Sequence, residues 1–540
     1  MKIVIVGGVA AGASAAARLR RLDETCRIVM VERGPYISYA NCGIPYHLGG
    51  VIADRDHLMV MSPEGFSARF DVDVRMESEV VAVYRERKEV EIVPRGGEPY
   101  RESYDKLVLA TGSSPVVPDI PGVDHPRVKQ LWTIPDLDGV LRHIDRGTNR
   151  ALVMGGGFIG LEAAENLAER GIDTTLVQSR DQVLPIMDKE MTVLLLGELE
   201  RLGVKVRLGR KAVVIEDRDG SLEAVLDDGE AVRAGVAIMS VGVRPNSGLA
   251  AGAGLRLGAK GHIAVDERMR TDDPDIYAAG DAIEVRDPVY GGVTAIPLAG
   301  PANKQGRIVA DNIAGRPSRY FGTLGASVIK IGRLSAAAVG HTERWLAQTG
   351  RQFHKIYLNP PASAGYYPGG SPLFMKLLFD ADGKILGAQA VGAKGADKRI
   401  DVIATAMRGS LTVREMADLE LSYAPPFNAA RDPVNMAGMV ASNVLDGLTR
   451  LVYADALPGG TLFLDVREEE EIEDGALPGS VHIPLGSLRG RLGELDRGKP
   501  VVVYCQGGLR AYAAERMLRQ NGFDVRNLSG GYAFYRLFQE

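Results

Sequence analysis

Two of the chain's three cysteines sit in settings that suit reactive thiols. Cys42 lies in "SYANCGIPYHLGG", behind Ser38 and Asn41 and just ahead of "IPYHLGG", which reads as the start of a helical segment. A thiol at a helix N-terminus has a lowered pKa and reacts as a thiolate. Cys505 opens "CQGGLR", a glycine-rich loop leading into a second helical segment. Backbone N–H groups of such a loop form an anion cradle, and Arg510 adds charge-assisted donors. The acidic run Glu468–Glu471 reads as a solvated face, and Cys26, which opens an apolar strand, as core. Three cysteines cannot build a disulfide framework, so a reducing, cytoplasmic setting is expected.

The elements that must position these thiols are two strand–turn–helix–strand units. In "KIVIVGGVAAGASAAARLRRL", Gly7, Val9 and Gly12 occupy the G-x-G-x-x-G positions, and Glu32 ends the next strand 20 residues later, where a carboxylate meets a ribose hydroxyl. In "ALVMGGGFIGLEAAENLAERGIDTTLVQSR", Gly155, Gly157 and Gly160 match fully, with Phe158 and Ile159 inside the turn. Each helix N-terminus offers unpaired N–H groups to a pyrophosphate. Two units imply two dinucleotides. The second ends on Gln178 rather than an acid, with Arg180 following, which leaves both NADH and NADPH open.

A length of 540 residues accommodates three or four domains. The chain is 45% hydrophobic and carries a formal net charge of −5, so nothing points to nucleic acid or an anionic membrane. No apolar run reaches membrane-spanning length, and the opening "MKIVIVGG" reads as a buried strand rather than a secretory signal.

With these residues in place, the chain resembles the FAD/NAD(P)-dependent pyridine nucleotide-disulfide oxidoreductases. "LVLATGSSP" (Leu107–Pro115, with Ala110, Thr111 and Gly112), "VGVRPN" (Val241–Asn246, with Gly242) and "TDDPDIYAAGD" (Thr271–Asp281) carry the likeness. It implies FAD held by Asp281 at the ribityl chain, with Arg33, Pro297 and Ala299 among further cofactor-binding positions. No cysteine follows Cys42 at the C-x4-C spacing of the family's disulfide, so the chain resembles the single-cysteine branch. That branch holds coenzyme A-disulfide reductases, NAD(P)H persulfide-polysulfide reductases, NADH oxidases and NADH peroxidases. A lone thiol must pair with CoA, sulfane sulfur or oxygen. The oxidases and peroxidases carry a histidine in the first glycine-rich turn, where this chain has Ala10.

"SYANCGIPY", "AGYYPGG", "DKRIDVIATAM" and "LSYAPPFNAARDPVNMAG" resemble the CoA branch and its dimerisation domain, although Ser363 stands where relatives carry a histidine. The resemblance implies a homodimer in which Tyr423 and one of Tyr366 or Tyr367 reach the partner's cysteine as hydroxyl donors. Arg18 and Arg21, on one face of the first helix, are expected to meet CoA phosphates, and Ser38 and Asn41 its pantetheine. The final 80 or so residues resemble a rhodanese domain, because Cys505-x4-Arg510 is the short sulfur-transfer loop rather than the Cys-x5-Arg loop of related phosphatases.

The expected fold class is α/β, with two Rossmann-like domains, an α+β dimerisation domain and an α/β rhodanese domain. The expected limits are 1–115 and 241–318 for FAD, 116–240 for NAD(P), 319–446 for dimerisation, 447–459 for a linker and 460–540 for rhodanese. The expected activity is NAD(P)H-dependent reduction of CoA persulfide or polysulfide, with a tethered rhodanese domain supplying sulfane sulfur. A CoA-disulfide reductase, an NADH oxidase and a redox-sensing or sulfur-delivery partner protein are the alternatives. No metal is expected.

Overall fold

The computed structural model describes residues 1–539; Glu540, where the expected rhodanese segment ends, lies outside the described residues. The chain forms two compact units, Met1–Asp181 with Gly203–Thr323, and Gln182–Leu202 with Leu324 onward.

The first unit holds two parallel sheets. One runs Ile276–Ala278, Lys106–Leu109, Lys2–Val6, Arg27–Val31, Val72–Arg75 in spatial order, and the other Lys205–Leu208, Asp173–Gln178, Arg150–Met154, Val236–Met239, Val128–Gln130. Their central strands are near-continuous apolar runs such as "IVIV" and "ALVM", as strands covered on both faces require. Ile3, Val4, Ile5, Leu107, Val108 and Leu109 have no solvent exposure. The two crossings between these domains run side by side, since Ser113–Pro115 pairs antiparallel with Val243–Pro245. "LATGSSP" and "VGVRPN" are thus the two halves of one hinge ladder.

The second unit is built on an antiparallel sheet ordered Ser327–Ile331, Leu334–Gly340, Ile385–Gly392, Leu373–Phe379, His354–Leu358. Helices Ala396–Arg408 and Pro433–Leu445 share its core through Ile400, Ile403, Val434 and Ala437. A parallel sheet follows, ordered Leu451–Val452, Val525–Leu528, Val501–Tyr504, Leu462–Asp465, Val481–His482.

The segment expected to be a linker, 447–459, is not a free tether. Leu451–Val452 joins this last parallel sheet beside Val525–Leu528. Tyr453 Oη donates to the Lys355 carbonyl at 2.9 Å, and Ser529 Oγ accepts the Tyr357 N–H at 2.9 Å. The edge strand His354–Leu358, buried from Lys355 to Leu358, turns the Tyr357 N–H and ring toward this cover. Tyr357 packs on Phe534 with ring centroids 4.7 Å apart. Among the described residues no helix is long and apolar enough to cross a membrane.

Candidate active sites

The nucleotide turns are built alike. Gly7 and Gly155 have φ of +103° and +108°, and a Cβ would lie 2.2 Å and 2.3 Å from the carbonyl oxygens of Ala110 and Ser240. Only glycine fits there. A Cβ on Gly12 or Gly160 would come within 1.9 Å or 1.8 Å of the Gly7 or Gly155 carbonyl, which packs each helix tightly on its turn. Val9 replaces the middle glycine of the first turn at φ −100°, a conformation open to any L residue. At Gly157 a Cβ would meet no protein atom, so the backbone faces open space at the N-cap of Phe158–Glu169.

Glu32 accepts from the N–H groups of Gly8 and Gly34, both at 2.8 Å, and so is aimed at the turn. Asp281 accepts from Ser113 Oγ at 2.8 Å, and burial pushes its carboxyl up. Thr111 serves the hinge: its hydroxyl donates to the Asn246 carbonyl at 2.6 Å. Gly112 and Gly242 both take left-handed φ beside that ladder. Arg33 reaches Ser114 Oγ at 3.5 Å, Pro297 is exposed just ahead of helix Ala299–Ile313, and Ala299 is exposed as its first residue. Gln178 Oε1 accepts weakly from Gly156 N–H at 3.4 Å, and Arg180 is exposed beyond it. Two cradles, an aimed acid and a half-buried aspartate fit FAD and NAD(P).

Cys42 is exposed, in a 3₁₀ turn, Asn41–Gly43, that precedes the five-residue helix Ile44–Leu48. Its N–H donates to Asn41 Oδ1 at 3.1 Å. Ser38 is held at φ +46° by two backbone bonds, from its N–H to Gly8 O and from Val60 N–H to its carbonyl, each 2.9 Å. The expectation of a lowered thiol pKa is corrected here. Partial desolvation and the carboxylates of Glu162 and Asp281 push the Cys42 thiol up. A one-turn helix gives too small a dipole to offset them.

Glu162 was not anticipated. Burial pushes its carboxyl up to about 7, against a hydrogen bond from Tyr46 Oη at 3.2 Å. Its signal in the sequence is one of two acids, Glu162 and Glu165, placed within the mostly apolar helix "FIGLEAAENL". The arginines also divide: Arg18 is tied to Asp311 at 2.9 Å, whereas Arg21 is exposed.

The tyrosines sort themselves. Tyr366 and Tyr423 join hydroxyl to hydroxyl at 2.6 Å, on two different loops. Both are exposed, and the shared hydrogen bond pushes the Tyr423 hydroxyl up. Tyr367 is exposed but stands outside this pair, its N–H bonded to the Ala364 carbonyl at 2.9 Å.

Cys505 is buried at the end of strand Val501–Tyr504, and the Gly508 N–H donates to its Sγ at 3.1 Å. The N–H groups of Tyr532 and Ala533 hold the carbonyls of Cys505 and Gln506 at 2.8 Å and 3.1 Å. Arg510 forms a bidentate pair with Glu471 at 2.5 Å and 2.6 Å. Glu471 is therefore not part of a merely solvated face, as its acidic run suggested. Buried Arg467 places it, donating to the Glu471 carbonyl at 2.9 Å while bonded to Asp465 at 2.7 Å. One further cluster, Asp188, Glu190 and Glu343, groups three carboxylates, and the Lys376 ammonium fills its centre.

Comparison with known proteins agrees with this geometry. Residues 1–306 match the model of the pyridine nucleotide-disulphide oxidoreductases, and 327–433 that family's dimerisation domain. The chain belongs to this family. Residues 452–536 match the rhodanese-like domain, so this oxidoreductase of an FAD- and NAD(P)H-dependent family carries a rhodanese module. Coenzyme A disulfide reductase from Staphylococcus aureus (strain JH9) is 36% identical over 444 residues, covering 82% of this chain and 99% of that protein. An NADH oxidase from Methanocaldococcus jannaschii is 35% identical over 441 residues, 81% of this chain and 98% of that one. Reduced Bacillus anthracis CoADR-RHD superposes with a TM-score of 0.97 at 45% identity, covering 99% of this chain and 98% of that one. An NAD-dependent persulfide reductase from A. fulgidus gives 0.94 at 37%, covering 99% and 100%.

Proposed function

We propose that this oxidoreductase reduces CoA persulfide or polysulfide with NAD(P)H and releases sulfide. The observation that carries the reading is the complete Cys505 loop, its thiol met by the Gly508 N–H, in a chain whose redox core presents one exposed cysteine. A sulfane-sulfur loop has no use in an enzyme that only balances CoA thiol against CoA disulfide. The likeness over nearly the whole chain to a protein described as a persulfide reductase supports it.

The two electrons of NAD(P)H, passed on through FAD, are the chemistry the cofactors supply. The Cys42 thiolate attacks the S–S bond of a persulfide, forms a mixed disulfide and expels hydrosulfide. Two electrons and one proton then split that mixed disulfide, restoring the thiolate and freeing the organic thiol. Ser38 and Asn41 flank this sulfur, and Arg21 is free to meet CoA phosphate, whereas Arg18 is engaged by Asp311. In a homodimer, the Tyr366–Tyr423 pair of each subunit serves the other's cysteine, its hydroxyls donating to the departing sulfur. Cys505 Sγ attacks the terminal sulfur of a polysulfide, whose shortened chain leaves, and a CoA thiolate then takes the outer sulfur of the resulting persulfide with Cys505 Sγ as leaving group; the flexible arm of CoA brings it to Cys42.

The test is anaerobic NAD(P)H oxidation with CoA persulfide, scoring sulfide per reduced nucleotide, with Cys42→Ser and Cys505→Ser in parallel. Stoichiometric sulfide that vanishes in Cys42→Ser is expected. Brisk turnover of CoA disulfide without sulfide from the persulfide would overturn the reading in favour of a CoA-disulfide reductase. The NADH oxidase reading, which the M. jannaschii relative's name raises, lacks an imidazole at Ala10 and predicts rapid NADH loss in air without any sulfur acceptor.

A further inference from the structure

Arg399 lies in "DKRIDVIATAM", on helix Ala396–Arg408, and is 2% exposed. A buried guanidinium must place its donors well to offset desolvation. Its Nη2 donates to the Ala362 carbonyl at 2.8 Å and to Asn428 Oδ1 at 2.7 Å. Nη1 reaches the Gly395 carbonyl at 3.4 Å, and Asp432 Oδ2 lies 3.4 Å from Nη2. Nε alone has no partner among the described residues.

The two neutral acceptors of Nη2 belong to different loops. Ala362 lies four residues before Tyr366, and Asn428 five residues after Tyr423. Asn428 extends the tie in both directions. Its carbonyl accepts the Ala364 N–H at 3.0 Å, while its Nδ2 donates to Asp432 and, at 3.4 Å, to the Ser422 carbonyl beside Tyr423. Gly395 keeps the space: a Cβ there would lie 2.0 Å from Arg399 Nη1.

We infer that Arg399, acting with Asn428, is the positioning residue that registers the Tyr366 loop against the Tyr423 loop and so sets the hydroxyl pair. The two hydrogens of Nη2 reach both loops at once while Nη1 lies on the Gly395 carbonyl, and a lysine ammonium, one bond shorter and without the planar group that orients Nη2, does not reproduce that geometry. Two exposed tyrosines on separate loops would otherwise not hold a 2.6 Å contact, because each surface side chain loses rotamer freedom to make it. The inference rests on the reading that these hydroxyls act at a cysteine.

Arg399→Lys and Asn428→Ala, in the full-length FAD-loaded protein beside Tyr423→Phe, test it. In both positioning variants kcat with CoA persulfide should fall by about tenfold to a hundredfold with KM for NAD(P)H unchanged, the cost of a misplacement near 1 Å. The alkaline limb of kcat should also move to lower pH, because Tyr423 loses the hydrogen bond it donates to Tyr366 Oη, which holds its hydroxyl up. A merely structural arginine would not move that limb. Arg399→Lys with kcat within about twofold of the parent and an unmoved limb overturns the inference. Loss of FAD or of the dimer in both positioning variants also overturns it, making Arg399 a folding residue. Full turnover in Tyr423→Phe refutes the tyrosine reading itself, whereas a slow Tyr423→Phe beside a parent-like Arg399→Lys refutes only the role of Arg399.

Discussion

Lys376→Met removes the central cation from a pocket of carboxylates. The ammonium lies 2.8 Å from Asp188 Oδ2, 2.6 Å from Glu190 Oε1 and 2.6 Å from Glu343 Oε2, on a side chain 1% exposed. Tyr357 Oη donates to Glu190 at 2.7 Å, and Lys355 holds the other oxygen of Glu343 at 2.8 Å. An exposed pair would contribute under about 1 kcal/mol, but Asp188 and Glu190 are buried, and stranding them costs on the order of 3–5 kcal/mol. At about 2–4 °C per kcal/mol for a unit of this size, that is a fall of roughly 6–20 °C. The pH dependence has a definite sign. Lys376 holds the Asp188 and Glu343 carboxyls below their ordinary range, so the stability they contribute is present above the unfolded value near ~4 and lost only in stronger acid. Without the lysine, burial pushes the same carboxyls up, and protonation relieves the cost as pH falls from neutral. The deficit of the variant is therefore largest at about pH 8 and shrinks toward about pH 5. Calorimetry of the FAD-loaded full-length protein, following the transition of the second unit across that range, checks it. Lys376→Met combined with Asp188→Asn and Glu190→Gln should recover most of the loss. A deficit below about 1 kcal/mol at the alkaline end, or one that does not shrink in acid, refutes the reasoning.

Glu162→Gln removes one of the carboxylates that push the Cys42 thiol up, so the thiolate should form at lower pH. Because the Glu162 carboxyl titrates at about 7, the gap between variant and parent should open above neutrality in a pH profile of Cys42 alkylation, and coincident profiles would count against it. Glu471→Gln frees the guanidinium of Arg510 from its bidentate partner and should raise kcat/KM for thiosulfate in cyanide sulfur-transfer by about tenfold, the scale of a strong charge-assisted hydrogen bond; an unchanged value means the pair does not limit anionic donors. Arg180→Ala removes the exposed cation that follows Gln178 and should raise KM for NADPH about tenfold while sparing NADH, and equal effects on both would place Arg180 outside the 2′-phosphate site.

The two nucleotide turns, the parallel sheets beneath them and the sulfur-transfer loop were legible because each is written in contiguous residues. Glycine at a turn, an apolar strand and a helix start act over a few positions, so spacing alone identifies them. The Cys42 thiol shows where that reasoning stops. A helix follows the cysteine, as expected, but it is one turn long, and partial burial of the thiol, with Glu162 120 residues away in sequence, outweighs it. The same holds for Arg18, engaged by Asp311, and for Arg510, engaged by Glu471. Likeness pointed to Tyr423 with one of Tyr366 or Tyr367, and folding brings the Tyr366 hydroxyl, not that of Tyr367, onto Tyr423. A segment that composition marks as a linker became a sheet strand beside Val525–Leu528, and its Tyr453 reaches the Lys355 carbonyl on the edge strand His354–Leu358. What a residue is chemically, and the backbone turn it occupies, come from its neighbours in the chain. Whether its charge is free, paired or repelled depends on side chains brought within about 4 Å by folding, and Coulomb and desolvation terms at that range decide its behaviour.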